Sequence, residues 1–127
     1  MRILLVDDSK ILQERILSII NECDFVQEVD QAYNTLEAKE KLIGSIYDIV
    51  ISDIRMPGGG GLELLQFIKE RHPDTKVIIM TNYPYPQYQN RASELGAEYF
   101  ISKNEELENL ASIICELNSP DIESNHN

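Results

Sequence analysis

Four short apolar runs, each followed by a polar side chain, constrain the fold of this 127-residue chain more than any other feature. The runs occupy residues 3–6, 49–52, 77–80 and 99–102, and they end at Asp7 with Asp8, at Asp53, at Thr81 and at Lys103. If the runs are parallel strands, all five polar side chains lie at the same edge of one sheet. Three neighbouring carboxylates are electrostatically unfavourable unless a positive group lies among them. The pattern therefore indicates a function at this edge rather than a packing requirement.

Length and charge limit the classes of protein that the chain can represent. Its 127 residues suit one domain with a sizeable core. With 22 acidic and 11 basic residues the formal net charge is -11, which should repel nucleic acid and anionic membrane surfaces. We therefore expect no direct DNA binding. No apolar stretch approaches the roughly 20 residues of a membrane span, and the apolar start is too short for a signal peptide. We expect no membrane insertion and a cytoplasmic location.

Helix-like stretches separate the strand-like runs. Ser9 and Asn34 are expected to cap the first two helices, because both can accept a hydrogen bond from a backbone N–H of the first turn. Gly96 is a suitable residue to end the fourth helix. By apolar spacing, the predicted helices span about 9–23, 34–44, 62–72, 87–96 and 107–117, and an additional strand is expected at 25–30.

Five strands alternating with five helices predict an α/β fold. The expected architecture is a flavodoxin-like (βα)5 doubly wound domain, with a five-stranded parallel sheet in the order 2-1-3-4-5 and helices on both faces. Its expected bounds are residues 1–118, and the polar residues 119–127 are expected to form a disordered tail. In this order the chain reverses direction between strands 1 and 3, and ligands bind there, at the carboxyl ends of the strands. Asp7, Asp8 and Asp53 come at this point.

The three aspartates predict a magnesium site. Mg²⁺ prefers oxygen ligands, takes one or two protein carboxylates, and leaves positions for water and phosphate. No histidine or cysteine nearby in the sequence favours zinc. Asp53 is the best candidate nucleophile for phosphorus, because it stands alone at the end of the central strand and aspartyl phosphates are known covalent intermediates. Thr81 and Lys103 can hold the remaining phosphoryl oxygens.

Five spaced elements of the chain match a known family in order. They are residues 6–9 (Val-Asp-Asp-Ser), residues 48–57 with Asp53 at their centre, Thr81, the Gly96-Ala97 pair, and Lys103. With these elements the chain resembles the receiver domain of bacterial two-component response regulators, the family that includes the chemotaxis protein CheY. The resemblance runs from about Arg2 to Leu117, nearly the whole chain.

The resemblance implies a role for each matched residue. Asp53 is expected to accept phosphate from a histidine kinase or a histidine phosphotransfer domain. Asp8 is expected to bind Mg²⁺ directly, Asp7 mainly through water, and Arg55 through its backbone carbonyl. Thr81 and Lys103 would contact the phosphoryl oxygens. The remaining implied features are the switch aromatic, Phe100, which turns inward as Thr81 moves toward phosphate, and an output surface for a downstream protein, formed by helix 4, strand 5 and helix 5.

Three positions depart from the family pattern. Asn104 stands where a proline usually follows the lysine, so a trans peptide or a strained exception is expected after Lys103. Asn82 and Tyr83 stand where the residue after the threonine is usually small. Arg55 and Tyr83 are expected to flank the approach of attacking water and to tune the phosphoryl lifetime.

Two loops allow more than one interpretation. The Tyr83-Pro84-Tyr85-Pro86 segment is either a rigid connection with aromatic packing or a modified partner surface. The glycines at 58–61 could suggest a phosphate-cradling loop, but they lack the Lys-Ser/Thr of a P-loop and follow a Met-Pro turn, which favours a flexible loop.

We interpret the chain as a stand-alone receiver that switches partner binding or relays phosphate between histidine-bearing proteins. It would be a signalling protein rather than an enzyme, although it would catalyse its own phosphorylation and slow dephosphorylation. The alternative is a receiver-like interaction module that never carries phosphate, against which the intact set of five polar residues argues. A flavin-binding protein is a weaker alternative, because acidic residues after the first strand would repel a flavin phosphate.

Overall fold

The predicted fold is confirmed by the structure, a computed structural model that describes residues 1–55 and 60–118. One parallel sheet has the order β2-β1-β3-β4-β5. The strands are β1 (Arg2–Val6), β2 (Glu28–Ala32), β3 (Ile49–Asp53), β4 (Lys76–Thr81) and β5 (Tyr99–Ser102). The helices are α1 (Lys10–Ile20), α2 (Thr35–Gly44), α3 (Gly61–Arg71), α4 (Pro86–Glu94) and α5 (Leu110–Asn118), the last preceded by a 3₁₀ turn at Leu107–Asn109.

Apolar side chains on the two faces of the sheet form two core layers. Ile3 and Leu5 of β1 pack with α1 and α5 on one face. Leu4 and Val6, one residue out of phase, pack with α2, α3 and α4 on the other. Successive side chains of a strand point to opposite faces, so a strand covered on both sides is apolar throughout. The central strands therefore read as continuous apolar runs, and their polar residues are confined to the ends.

The helix caps predicted from the sequence are present. The Ser9 hydroxyl accepts a hydrogen bond from the backbone N–H of Leu12 (3.2 Å), and the Asn34 side chain accepts one from the N–H of Glu37 (2.8 Å). Gly96 has a φ of 99°, a left-handed conformation that glycine adopts readily, and it lies just beyond the end of α4. These caps fix where α1 and α2 begin beside the sheet.

Several boundaries differ from the prediction, including the end of α1, which comes at Ile20 rather than at residue 23. The second strand begins at Glu28 rather than at residue 25, because its pairing with β1 starts where Arg2 lies opposite Glu28. Residues 107–109, predicted as the first turn of the last helix, form a 3₁₀ turn instead. The predicted tail at 119–127 and most of the glycine loop, residues 56–59, lie outside the described residues. Within the described ranges, no helix is long and apolar enough to cross a membrane.

Candidate functional site

The carboxyl ends of four neighbouring strands bring the predicted side chains together. Asp7 follows β1, Asp53 ends β3, Thr81 ends β4 and Lys103 follows β5. The strands pair in register, with Val6 opposite Ser52 and Thr81 opposite Ser102, so their ends lie level. Asp7, Thr81, Asp53 and Lys103 are all buried. The structure thus confirms the predicted convergence of these side chains at one sheet edge.

The Lys103 ammonium lies between two carboxylates. Its Nζ is 2.6 Å from Asp7 Oδ2 and 3.0 Å from Asp53 Oδ2. The pKa of Lys103 is raised above its ordinary value, because hydrogen bonds to Asp7 and Asp53 outweigh the opposing effect of burial. The ammonium therefore acts as the counter-ion that the acidic cluster requires.

Both carboxylate oxygens of Asp7 have protein partners. Oδ1 accepts a hydrogen bond from the backbone N–H of Ser9 (2.8 Å), and Oδ2 accepts one from Lys103. Asp8, by contrast, is exposed. Asp7 is fully buried, so it is better suited to an indirect role, and the exposed Asp8 is the more accessible ligand for a cation.

Asp53 is held by backbone amides on one side and by the lysine on the other. Its Oδ1 accepts hydrogen bonds from the N–H of Ile54 (2.7 Å) and of Arg55 (3.4 Å). Burial raises the pKa of Asp53 above its ordinary value, and the hydrogen bond from Lys103 opposes this shift. The amides orient one oxygen, while Oδ2 faces Lys103 in the crevice.

The donor set of the crevice suits a hard divalent cation. Asp7, Asp8 and Asp53 each offer one carboxylate oxygen, and these three oxygens lie within 4.8 Å of one another. All are oxygen donors, as Mg²⁺ prefers. The residues present therefore fit a magnesium ion.

Backbone hydrogen bonds place Thr81 and Lys103 side by side. The N–H of Lys103 donates to the carbonyl of Thr81 (2.8 Å), extending the pairing of β4 with β5 beyond the strand. The Thr81 hydroxyl accepts a hydrogen bond from the N–H of Tyr83 (2.9 Å). The hydroxyl is thereby linked to the backbone of the loop before α4.

Glu106 fixes the segment that carries Lys103. The backbone N–H of Ser102 donates to Glu106 Oε1 (2.8 Å), and the N–H of Glu106 donates to the Ser102 carbonyl (2.9 Å). No cis peptide bond occurs in the described ranges, so Asn104 follows Lys103 through a trans bond, as expected. The reciprocal pair closes the loop without the proline that is usual in the family.

Arg55 joins the site to an aromatic group of three tyrosines. Its guanidinium carbon lies 4.4 Å from the centre of the Tyr83 ring, and its Nη2 donates to the Tyr88 hydroxyl (3.3 Å). The ring centres of Tyr83 and Tyr85 are 6.1 Å apart, and those of Tyr85 and Tyr88 are 5.7 Å apart. We call Tyr83, Tyr85 and Tyr88 the tyrosine group. Aromatic packing, one of the two interpretations of this loop, is present.

Phe100 lies farther from the carboxylates, within β5. It is partly buried and packs against the core layer shared by α2, α3 and α4. Together with Gln89 and Ser93 of α4 it lines a cavity of ≈ 230 Å³. The ring therefore borders open space between α4 and β5.

Comparisons with known proteins decide the family. A family model described as "Response regulator receiver domain" matches residues 3–115. The chain belongs to the response regulator receiver family. The oxygen regulatory protein NreC of Staphylococcus carnosus is 34% identical over 115 residues, a match that covers 90% of this chain and 53% of NreC. The response regulator protein PilR of Pseudomonas aeruginosa is 31% identical, with 94% of this chain and 27% of PilR covered.

Solved structures agree with this assignment. The response regulator TrrA of Thermotoga maritima, in complex with Mg²⁺-BeF, is 34% identical with a TM-score of 0.79, covering 91% of this receiver domain and 97% of that chain. A DNA-binding response regulator of the LuxR family from Staphylococcus aureus is 28% identical with a TM-score of 0.83, covering 93% and 98%.

The expectation of no direct DNA binding is wrong. A structure that this receiver domain resembles over 93% of its length is named as a DNA-binding response regulator. The receiver domain also spans only about a quarter to a half of the curated relatives described above. A net charge of -11 therefore does not by itself decide whether a protein with a receiver domain binds DNA. The expected output surface of α4, β5 and α5 stays a prediction.

Sequence reasoning missed three residues that support the site. Gln13 is a fully buried amide on α1, and Glu106 closes the loop of Lys103. At Gly61 an added Cβ would lie 2.0 Å from the backbone oxygen of Asp53, so only glycine fits there. The sequence contains one faint signal for Gln13: it lies at the helical spacing of the buried Ile16 and Ile20, where an apolar residue is expected.

Proposed function

We propose that this receiver domain accepts a phosphoryl group on Asp53 from the phosphohistidine of a histidine kinase or a histidine phosphotransfer domain. The observation that carries the proposal is the position of the Lys103 ammonium, within 3.0 Å of carboxylate oxygens of both Asp7 and Asp53. A cation at this position can bind the oxygens of an incoming phosphoryl group beside the nucleophile. The membership of the chain in the receiver family supports the same function.

The proposed phosphoryl transfer takes place between the phosphohistidine donor and the side chains of the site. A carboxylate oxygen of Asp53 attacks phosphorus and forms a P–O bond, while the P–N bond to the imidazole breaks. The bonding electron pair goes to the imidazole nitrogen, which retains it as a lone pair or takes a proton from solvent. Lys103 exchanges a carboxylate contact for a phosphoryl oxygen, and the Thr81 hydroxyl donates to another. Their proximity through the Lys103–Thr81 backbone bond supports these roles.

The same residues that fit a divalent cation would hold Mg²⁺. The carboxylates of Asp8 and Asp53 and the backbone carbonyl of Arg55 would be its direct protein ligands, with Asp7 acting through water. When bound, the ion neutralises charge on the phosphoryl group. The Mg²⁺-BeF complex of TrrA, a 34% identical structure, supports this assignment.

Phosphorylation would act through Thr81 and Phe100. As the hydroxyl turns toward phosphate, the partly buried Phe100 would move inward. The phosphorylated state would then either change the affinity of an output partner or pass phosphate to a second histidine, and it would decay by slow autodephosphorylation. The stand-alone arrangement, the domain bounds and the cytoplasmic location stay predictions.

Control of transcription is the output that the comparisons favour. The S. aureus structure is named as a DNA-binding regulator, and its identity of 28% to this chain supports a related output. DNA retention by the full natural gene product, measured with and without phosphorylation, tests this output. A phosphorylation-dependent change supports it, and unchanged retention contradicts it.

Intact mass spectrometry tests the phosphoacceptor directly. The protein is incubated with Mg²⁺ and acetyl phosphate, beside an Asp53→Asn variant that keeps the shape of the side chain. We expect a gain of one phosphoryl group in the parent only. A gain in both would contradict the assignment of Asp53.

No gain in either protein would be followed by incubation with a phosphorylated histidine phosphotransfer domain. Continued absence of phosphate would favour the alternative, a phosphorylation-independent interaction module. Incubation of the phosphorylated receiver domain with an unphosphorylated histidine phosphotransfer domain separates a switch from a relay, because only a relay passes phosphate from Asp53 to a second histidine.

A further inference from the structure

Gln13 places a fully buried amide directly behind the aspartate pair. Its Nε2 donates two hydrogen bonds of 2.8 Å, one to the backbone carbonyl of Asp7 and one to that of Ala32. Its Oε1 accepts a hydrogen bond from Gln31 Nε2 (2.6 Å). The side chain is 0% exposed. Every one of these contacts is on the carboxyl ends of β1 and β2 or on β2 itself.

We propose that Gln13 is a positioning residue for magnesium, which sets the direction of the Asp8 carboxylate by holding the carbonyl of Asp7. The inference rests on the proposed function, since it deepens the account of the same site. Gln13 is not among the residues that would hold the cation or the phosphoryl group. It acts through the peptide that joins the two aspartates.

Planarity of the peptide bond carries the effect from one residue to the next. The carbonyl of Asp7 and the Cα of Asp8 lie in one peptide plane. Two hydrogen bonds hold the backbone of Asp7. Its N–H donates to the Ala32 carbonyl (3.1 Å), and its carbonyl accepts from Gln13. Fixing the carbonyl restricts rotation of the plane and therefore the direction in which Asp8 leaves the backbone. Asp8 itself is exposed, so packing does little to orient it.

The donors and the acceptor of the Gln13 amide all have hydrogen-bond partners at this buried position. Gln13 lies on the buried face of α1 with Ile16 and Ile20, where an apolar side chain would satisfy packing. A buried amide without partners would be unfavourable, whereas here both of its N–H groups point at carbonyl oxygens. The hydrogen bond from Gln31 to Oε1 fixes which end of the amide faces Asp7. The contacts therefore determine a single orientation.

Magnesium titration calorimetry on the unphosphorylated protein tests the inference. The variants are Gln13→Met, which keeps the length of the side chain but removes its donors, and Gln31→Leu, which removes the anchor of the amide. We expect Gln13→Met to weaken Mg²⁺ binding by about tenfold, the lower end of the effect seen for groups that orient metal ligands. Gln31→Leu should weaken it by less.

A buried residue elsewhere on α1 provides the control for loss of stability. Ile20→Val shortens a fully buried side chain at the opposite end of the helix from the aspartates. Urea unfolding measures the stability of each variant, and Ile20→Val should lose stability with no change in Mg²⁺ affinity. If Ile20→Val weakened Mg²⁺ binding as much as Gln13→Met, the effect would be general and the inference overturned.

The outcomes separate this inference from the proposed function. A parent that binds Mg²⁺ while Gln13→Met and Gln31→Leu bind it equally well would overturn the inference alone. A parent that binds no Mg²⁺ would overturn the metal part of the proposed function and the inference with it. If Gln13→Met failed to fold, a weakened affinity in the folded Gln31→Leu variant would support the inference, and an unchanged affinity would overturn it.

Discussion

At the scale of single residues, Glu106 decides how firmly Lys103 is placed. Its carboxylate accepts from the N–H of Ser102, and its own N–H donates back to Ser102. Glu106→Ala removes the acceptor, which should allow the Lys103 segment to shift and lower the rate of phosphorylation by acetyl phosphate about tenfold. Glu106→Gln keeps an oxygen acceptor at the same distance, so its rate should stay near that of the parent. The rates are measured by intact mass against time.

The neighbouring glutamate separates position from charge in this experiment. Glu105→Ala removes the same charge from an exposed side chain next in sequence. We expect it to phosphorylate like the parent. Equal slowing by Glu105→Ala and Glu106→Ala would contradict the positional role and indicate a charge effect.

Ionisation of Tyr47 should lower the stability of the folded protein at alkaline pH. Its hydroxyl donates to Asp30 Oδ2 (2.5 Å), and burial together with this bond raises its pKa to about 12. The folded pKa is above the ordinary value of about 10, so the stabilisation is full below pH 10 and is lost as the pH rises toward 12. The pKa of Tyr99 is also raised, by its hydrogen bond to Glu116, so an absorbance titration of tyrosinate should show a late transition that is smaller by one tyrosine in Tyr47→Phe than in the parent. A late transition of equal amplitude in the two proteins would refute the assignment.

At the scale of elements, strand ends were predictable and close contacts between backbones were not. Asp53, Thr81 and Lys103 could be placed from sequence because parallel strands bring their carboxyl ends to one edge. The start of β2 could not be predicted, because it depends on the register in which Arg2 of β1 pairs with Glu28 of β2. The same holds for Gly61, whose need for glycine arises from a contact with the oxygen of Asp53 that spacing does not reveal.

The start of α3 constrains the proposed phosphoacceptor through Gly61. An added Cβ would lie 2.0 Å from the backbone carbonyl oxygen of Asp53 and 2.9 Å from the carbon of the same carbonyl, so Gly61→Ala must displace the backbone. We expect a loss of about 1–3 kcal/mol in the free energy of unfolding and slower phosphorylation of Asp53. Urea unfolding and intact mass measure the two effects.

Gly44 offers the matched glycine control. It ends α2, and an added Cβ would meet nothing within 4 Å. Gly44→Ala should change stability by no more than about 1 kcal/mol, in the stabilising direction, and leave phosphorylation unchanged. A Gly61→Ala variant as stable and as active as Gly44→Ala would exclude the close contact.

The loop before α4 should set the lifetime of the phosphoryl group. Arg55 covers the Tyr83 ring and bonds to Tyr88, so the side chain ties the loop after β3 to α4. Arg55→Ala and Tyr83→Ala should each speed dephosphorylation a few-fold, because the approach of water to Asp53 is opened. Loss of phosphoryl mass after removal of the donor gives the rate.

Tyr85→Ala is the control, because the Tyr85 ring packs against Tyr83 and Tyr88, and this variant should change the rate of dephosphorylation less. Rates equal to the parent in Arg55→Ala and Tyr83→Ala would count against this role.

At the scale of the whole molecule, one lysine links folding to the cation. Lys103 is the counter-ion of Asp7 and Asp53 in a chain with 22 acidic and only 11 basic residues. Lys103→Gln leaves two buried carboxylates without it, and in EDTA we expect a loss of about 3–5 kcal/mol in the free energy of unfolding. A ligand that binds only the folded state stabilises it more the more tightly it binds. Without the competing ammonium the carboxylates should bind Mg²⁺ more tightly, so Mg²⁺ should stabilise Lys103→Gln by more than it stabilises the parent.

A second ion pair distinguishes this local link from a general charge effect. Lys69 pairs with Glu98 at 3.0 Å between α3 and the sheet, and its loss changes the net charge by the same amount. Urea unfolding with EDTA and with Mg²⁺ should show that Lys69→Gln loses stability but gains from Mg²⁺ only as much as the parent does. A gain above that of the parent in both variants alike would mean that the cation responds to the acidity of the whole surface, and an equal gain in all three proteins would refute the link. A larger gain confined to Lys103→Gln would mean that the ammonium and the cation neutralise the same carboxylates.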